Sequence, residues 1–253
     1  LPVNLPDANF LAVGEFSTFL KKSPQDDLLV PMDSGNLPPG NLLFIDGNEK
    51  SGWYIAHQQG DQIALYHSAK LEQGKWTAVR KESIAAGFWS GGNAFWIWRT
   101  KTGLAYAVSQ GSIYFLDYST GQWLERKAPN KNRLISIDPN PNNTLGILTS
   151  PGGGFGGVFA NSYLSKDDGQ TWKEIKSPFK VNVSTPHQTK DGTVFVVGGV
   201  FGKPELHSSN DEGTTWKRVS EFQLSNSLVL LPTGGLLSIS NGAYGLFSIQ
   251  HSA

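Results

Sequence analysis

Apolar and polar residues alternate along this chain in short runs, and clusters of Gly, Asp, Asn and Pro separate the runs. Alternation with a period of two between turn residues predicts strands. The runs fall into groups of four. Asn41 to Ile45, Trp53 to His57, Gln62 to His67 and Trp76 to Arg80 make the first group. Asn93 to Trp98, Leu104 to Val108, Ser112 to Leu116 and Trp123 to Lys127 make the second. The third holds Asn132 to Ile137, Thr144 to Thr149, Val158 to Leu164 and Trp172 to Lys176. The fourth holds Asn182 to His187, Thr193 to Gly198, Glu205 to Ser208 and Trp216 to Val219. A fifth group, Asn226 to Leu231, Gly235 to Ser240 and Gly245 to Gln250, has three runs before the chain stops.

The turn before the last run of a group carries a motif. Ser165-Lys-Asp167-Asp-Gly169-Gln-Thr-Trp172 and Ser209-Asn-Asp211-Glu-Gly213-Thr-Thr-Trp216 share the pattern S-x-D-x-G-x-T-W. Asp can accept backbone N–H bonds across a tight turn, and Gly can take a conformation that a Cβ obstructs. Trp then opens the next strand with a large face to bury between sheets. Two weaker copies precede these. His67-Ser68 to Gly74-Lys75-Trp76 lacks the Asp, and Asp117 to Gly121-Gln122-Trp123 keeps a polar turn before Gly and Trp. The motif resembles the Asp-box, or BNR, repeat of sialidase-like β-propellers. The four Trp, at 76, 123, 172 and 216, are spaced by 47, 49 and 44 residues, the length of a four-stranded blade.

The missing strand of the fifth group has a candidate at the other end of the chain, where Ser17 to Pro24 echoes Thr171 to Pro178. Pairing it onto the last group would hide two sheet edges. An Asn at the start of each innermost run (41, 93, 132, 182 and 226) also counts five. The expectation is one all-β domain over 1–253, a propeller of five four-stranded blades closed by the N-terminal strand. Six blades, with Leu28 to Asp33 recruited into a blade, is the alternative. In the five-blade reading Ser23 to Gly40 is a long connection draped over the upper face.

Composition narrows the function. The chain has 253 residues, with 21 Lys and Arg against 21 Asp and Glu, so no net basic field exists to hold a nucleic-acid backbone. Its 29 Gly and fourteen Phe disfavour helices and supply surface to bury. Zero Cys excludes disulfides, thiol nucleophiles and Cys-based zinc sites. There is no apolar run of about 18 residues to span a membrane. Leu1 to Pro6 lacks a Met and a signal peptide, and reads as the processed start of an exported protein, periplasmic or secreted, with lipid anchoring through a removed segment as one form of it.

The resemblance implies glycoside hydrolysis, whose parts are largely missing. A sialidase clamps its substrate carboxylate with three arginines. Here Arg80, Arg126 and Arg218 map to outer strands and Arg99 to the Asp-box face, which leaves Arg133 alone near the channel top. Glycoside cleavage needs two carboxylates about 5–10 Å apart. Asp46 and Asp138 end inner strands at the wrong face, while Asp61, Glu82 and Glu205, with Asp26, Asp27 and Asp33, lie on peripheral loops without a defensible pair. The five His have no metal-ligand spacing, so no metal and no cofactor is expected. The Gly-rich stretch Pro151 to Gly157 reads as a wide turn. Several loop aromatics converge on the upper face instead: Phe88, Trp89, Phe155, Phe201 and Tyr244, rimmed by Lys203, Arg133, Gln58 and Asp61. That mixture suits recognition. The expectation is a non-catalytic protein of the bacterial envelope, monomeric on its own, that holds a partner protein as assembly factors or toxin-neutralising proteins do. A glycan-binding module or a divergent glycoside hydrolase is the alternative.

Overall fold

The computed structural model of the chain describes residues 2–4, 10–22, 25, 28–84, 95–140, 144–150, 160–179, 184–200, 203–220, 227–230 and 236–239. They form 22 strands and no α-helix, with single 3-10 turns at Leu71–Gln73 and Pro129–Lys131. Five antiparallel sheets of four strands follow one another, each a simple meander. The first holds β1 (Pro2–Asn4), β2 (Phe10–Val13), β3 (Phe19–Lys22) and β4 (Val30–Pro31). The second holds β5 (Asn41–Asn48), β6 (Gly52–Gln59), β7 (Gln62–Ser68) and β8 (Thr77–Ser83). The third holds β9 (Phe95–Arg99), β10 (Gly103–Val108), β11 (Ser112–Asp117) and β12 (Trp123–Lys127). The fourth holds β13 (Arg133–Pro139), β14 (Leu145–Ser150), β15 (Asn161–Ser165) and β16 (Lys173–Ile175). The fifth holds β17 (His187–Gln188), β18 (Val194–Val200), β19 (Lys203–Ser209) and β20 (Lys217–Ser220). Two further strands, β21 (Ser227–Leu230) and β22 (Leu236–Ile239), pair with each other.

By contact density the chain divides into two compact units: 1–87 with 97–106 and 115–124, and 88–96 with 107–114 and 125–253. In the first unit Leu11, Val13 and Phe19 of the first sheet pack with Leu42, Ile45, Trp53 and Ile55 of the second, joined by Leu71 and Trp76. In the second unit Leu164 and Ile175 of the fourth sheet meet Val194 of the fifth, with Trp216 against them. The strands next to the innermost ones are buried on both faces. Every residue of β10 is buried, which explains the unbroken apolar run Leu104 to Val108. The fourth strands, β8 and β12, are mostly exposed and carry the charged residues.

Three expectations change. The strand meant to close the last sheet, β3, has both edges occupied, by β2 and by β4. A short hairpin turn brings β2 to β3, whereas pairing with the far end of the chain would require closing a loop of some 200 residues. Next, Ser23 to Gly40 is not an upper-face strap over its described part. Val30 and Pro31 form β4, and Asn36 docks on the turn before Trp76, its N–H donating to Gly74 O at 3.0 Å. Gly35 and Gly74 touch so closely there that a Cβ on Gly35 would stand 1.9 Å from Gly74 O. Finally, within the described part of the run Asn182 to His187 only His187 enters a strand, the two-residue β17 (His187–Gln188). Pro186 has no N–H for a ladder, and its carbonyl serves the preceding sheet by accepting from Asn140 Nδ2 at 3.4 Å. The third run of the last group, Gly245 to Gln250, lies outside the described residues.

Candidate functional site

In an antiparallel meander the first and third turns gather at one end of the sheet and the second turn at the other. In the second sheet, Asn48–Gly52 marks one end of β6 and Gln59–Gln62 the other, separated by eight residues, or about 26 Å at about 3.3 Å per residue. Among the described residues an open cleft of about 600 Å³ lies at the first of these ends. Its walls are the end of β5 with the turn that follows it (Gly47, Asn48, Lys50, Ser51), the turn after β9 (Thr100, Lys101, Thr102) and the turn after β11 (Tyr118, Ser119). All three belong to the first unit.

Asp46 and Arg99, the last residues of the apolar parts of β5 and β9, form the floor. Asp46 is 1% exposed, which would be costly for an unpaired carboxylate. Both its oxygens are engaged. Arg99 donates to Oδ1 through Nε at 2.8 Å and through Nη2, and the Tyr118 hydroxyl donates to Oδ2 at 2.8 Å. The hydrogen bond to Asp46 raises the Arg99 pKa above its ordinary value, against the opposing effect of burial. Burial, and then the charge of Asp46, pushes the Tyr118 phenol up, so it stays a protonated donor. Tyr118 in turn lies flat on Tyr54, with ring centroids 5.2 Å apart and planes within 5°. The side chain of Arg99 remains 54% exposed, and Lys50 and Lys101 are exposed. The cleft therefore presents three cations over a carboxylate that is sealed beneath one of them.

Sequence places Asp46 and Arg99 at this end without marking them as a pair, and it does not single out Tyr118, Lys50 or Lys101. The available signal was that Asp46 and Arg99 end inner strands of consecutive periods with opposite charge. A related pairing recurs in the second unit, where Asp138 and buried His187, on the inner strands of the fourth and fifth sheets, are in contact.

Of the expected upper-face residues, Gln58 and Asp61 sit at the opposite end of the second sheet, flanking the turn between β6 and β7. Gln58 donates to Gly60 O at 3.1 Å, and Asp61 is exposed. Arg133 is exposed at the start of β13. Lys203 opens β19. Phe88, Trp89, Phe155, Phe201 and Tyr244 lie outside the described residues, as do the stretch Pro151 to Gly157, Asp26 and Asp27. Glu82 and Glu205, two of the expected upper-face acids, have partners. Glu82 accepts from Tyr106 at 2.6 Å and from Arg80 at 3.2 Å, and Glu205 faces His207 at 3.0 Å and Arg218 at 3.3 Å.

The motif turns are held from within. Asp211 accepts the N–H groups of Thr214 at 3.1 Å and Thr215 at 2.8 Å and the Thr215 hydroxyl at 2.6 Å, while Ser209 Oγ accepts from Gly213 N at 2.8 Å. Asp167 and Ser165 do the same for Thr171 and Gly169. The Trp172 indole donates to Lys127 O at 3.2 Å, at the end of β12, and that of Trp216 to Lys176 O at 2.8 Å, just past the end of β16. Among the described residues, no group of three His, Cys, Asp or Glu could hold a metal ion, and no helix is long and apolar enough to cross a membrane.

No family model and no curated protein matches the chain. Solved structures do. The structure of YCF48 bound to D1 peptide superposes with a TM-score of 0.57 at 18% identity, over 85% of this chain and 65% of that one. YCF48 from Cyanidioschyzon merolae gives 0.53 at 15% identity, over 83% and 66%. The chain thus spans about two thirds of the length of those two proteins. Catalytically inactive virginiamycin B lyase from Staphylococcus aureus, solved with quinupristin, gives 0.56 at 9% identity, over 99% and 84%. All are β-propellers, and the chain shares that fold.

Proposed function

We propose that this chain is a non-catalytic propeller of the bacterial envelope that recognises a partner protein, as an assembly factor or a toxin-neutralising protein does. It is read as periplasmic or secreted, and as a monomer apart from its partner. The observation that carries this reading is the state of Asp46. The one carboxylate of the described cleft is buried and committed on both oxygens, so the cleft offers charge to hold a ligand and no acid–base pair to cleave one. That one fold neighbour was solved with a peptide bound is consistent with the same role. The self-bonded turns at Ser165–Trp172 and Ser209–Trp216 support reading the propeller as one of the Asp-box group. Counting sheets as blades, the described residues favour six over five, with β21 and β22 belonging to the last.

The test is recovery of a partner from envelope extract by the tagged chain. A protein held in stoichiometric amount, and lost on joint substitution of Trp89, Phe155 and Phe201 by Ala, is the expected result. Recovery of no such protein, or its equal retention by the triple variant, would count against the reading.

A further inference from the structure

We propose that the cleft between the turns after β5 and β9 is a docking site for an acidic peptide segment, recognised through its carboxylates by Lys50, Arg99 and Lys101. This rests on the protein-recognition reading and adds to it a second contact with its own chemistry, at the end of the sheets opposite Gln58 and Asp61. The cleft leaves its cations, and not its other polar groups, uncommitted. Asp46 would be the natural repellent of an acid, yet it is 1% exposed and bonded by Arg99 and Tyr118. Two lining hydroxyls serve the turns themselves, since Thr100 Oγ accepts from Gly103 N at 3.0 Å and Ser119 Oγ donates to Asp117 at 2.6 Å. The cations are different. A guanidinium has five N–H donors, and Arg99 directs two of them at Asp46 while its side chain stays 54% exposed. The fixed ion pair also holds the guanidinium in one orientation, which lowers the ordering cost of a second, bidentate carboxylate. Lys50 and Lys101 stand on separate turns flanking it. A space of about 600 Å³ is far larger than one oxyanion and falls within the ~300–1,000 Å³ range of ligand clefts. Cations spread around it match several carboxylates along a chain better than one compact anion.

A fluorescein-labelled hexaglutamate peptide, with hexaglutamine and hexalysine as controls, tests this by fluorescence anisotropy. Hexaglutamate should bind, hexaglutamine and hexalysine should not, and affinity should fall as salt screens the charges. The K50E/K101E double variant, whose changes lie on exposed turns, should bind on the order of tenfold or more weakly, with an unchanged thermal midpoint. Equal binding of hexaglutamine, or undiminished binding by K50E/K101E, would overturn the assignment, as would failure of hexaglutamate to bind. Arg99→Lys should weaken binding less than the double variant, because charge remains and only the bidentate fork is lost. The outcome is separable from the broader reading. A partner recovered equally by wild type and K50E/K101E sinks the acidic-peptide site and leaves protein recognition standing, whereas cleft-dependent hexaglutamate binding without any recovered partner does the reverse.

Discussion

A buried carboxylate and a half-exposed guanidinium do not lose equally when their ion pair is broken. If Arg99 is removed, Asp46 is left 1% exposed with only Tyr118 as donor. If Asp46 is removed, Arg99 can turn towards water. Arg99→Ala should therefore destabilise the fold by about 3 kcal/mol, and Asp46→Asn by clearly less. The combined variant should lie near Asp46→Asn alone, because the charge that needed a partner is gone. Urea denaturation of the three variants decides it, and equal losses for the two single changes would refute the asymmetry. Each residue was legible in the sequence as the polar end of an apolar inner strand. Their meeting was not, because 53 residues separate them and only the packing of neighbouring sheets brings the two strand ends together.

At the level of the element, the Ser of each motif turn is a buried acceptor as well as a donor. Ser209→Ala and Ser165→Ala each leave a buried glycine N–H without its 2.8 Å partner, a loss of about 1–3 kcal/mol. Ser68 occupies the corresponding place in the degenerate turn but serves Lys70 O alone, so Ser68→Ala should cost less than either in a thermal melt. The Asp missing from that turn has a substitute from elsewhere in the chain. Asn36 Oδ1 accepts from Trp76 N at 2.6 Å and its Nδ2 donates to Trp76 O at 3.0 Å. No motif search sees such a replacement, because it comes from 40 residues upstream. Adjacent motif turns are also tied by charge. Glu212 pairs with Lys166 and, at 2.7 Å, with Lys173, and these bonds hold its carboxyl down to about 2 from an ordinary 4.5. A carboxylate with a depressed folded pKa stabilises above its unfolded pKa and loses that contribution as pH falls through the folded one. Stability measured between about pH 4.5 and 2 should therefore fall with acid, and Glu212→Gln should flatten part of that slope. An unchanged slope in the variant would show that the two lysines contribute nothing to it.

For the whole molecule, the balance of 21 cations and 21 anions means that local groupings, not net charge, decide what it attracts. If the proposed role is right, a panel of aryl glycosides, a sialoside included, should show no turnover, and measurable hydrolysis would favour the carbohydrate-active alternative. Strand positions, the four-strand period and the motif turns could be read from the chain, because alternation, turn residues and Trp spacing are local properties. The pairing of Phe19–Lys22 could not, since its likeness to an outer strand says nothing about which edge lies nearest, and the short hairpin to Phe10–Val13 took it. Nor could the cleft. Sequence marks which residues end a strand and carry charge, but a cleft is set by the distance between two sheets, and burial decides which of its charges still face a ligand. Local chemistry thus made the strands and turns, while the stacking of sheets hid Asp46 and left Arg99, Lys50 and Lys101 in the open.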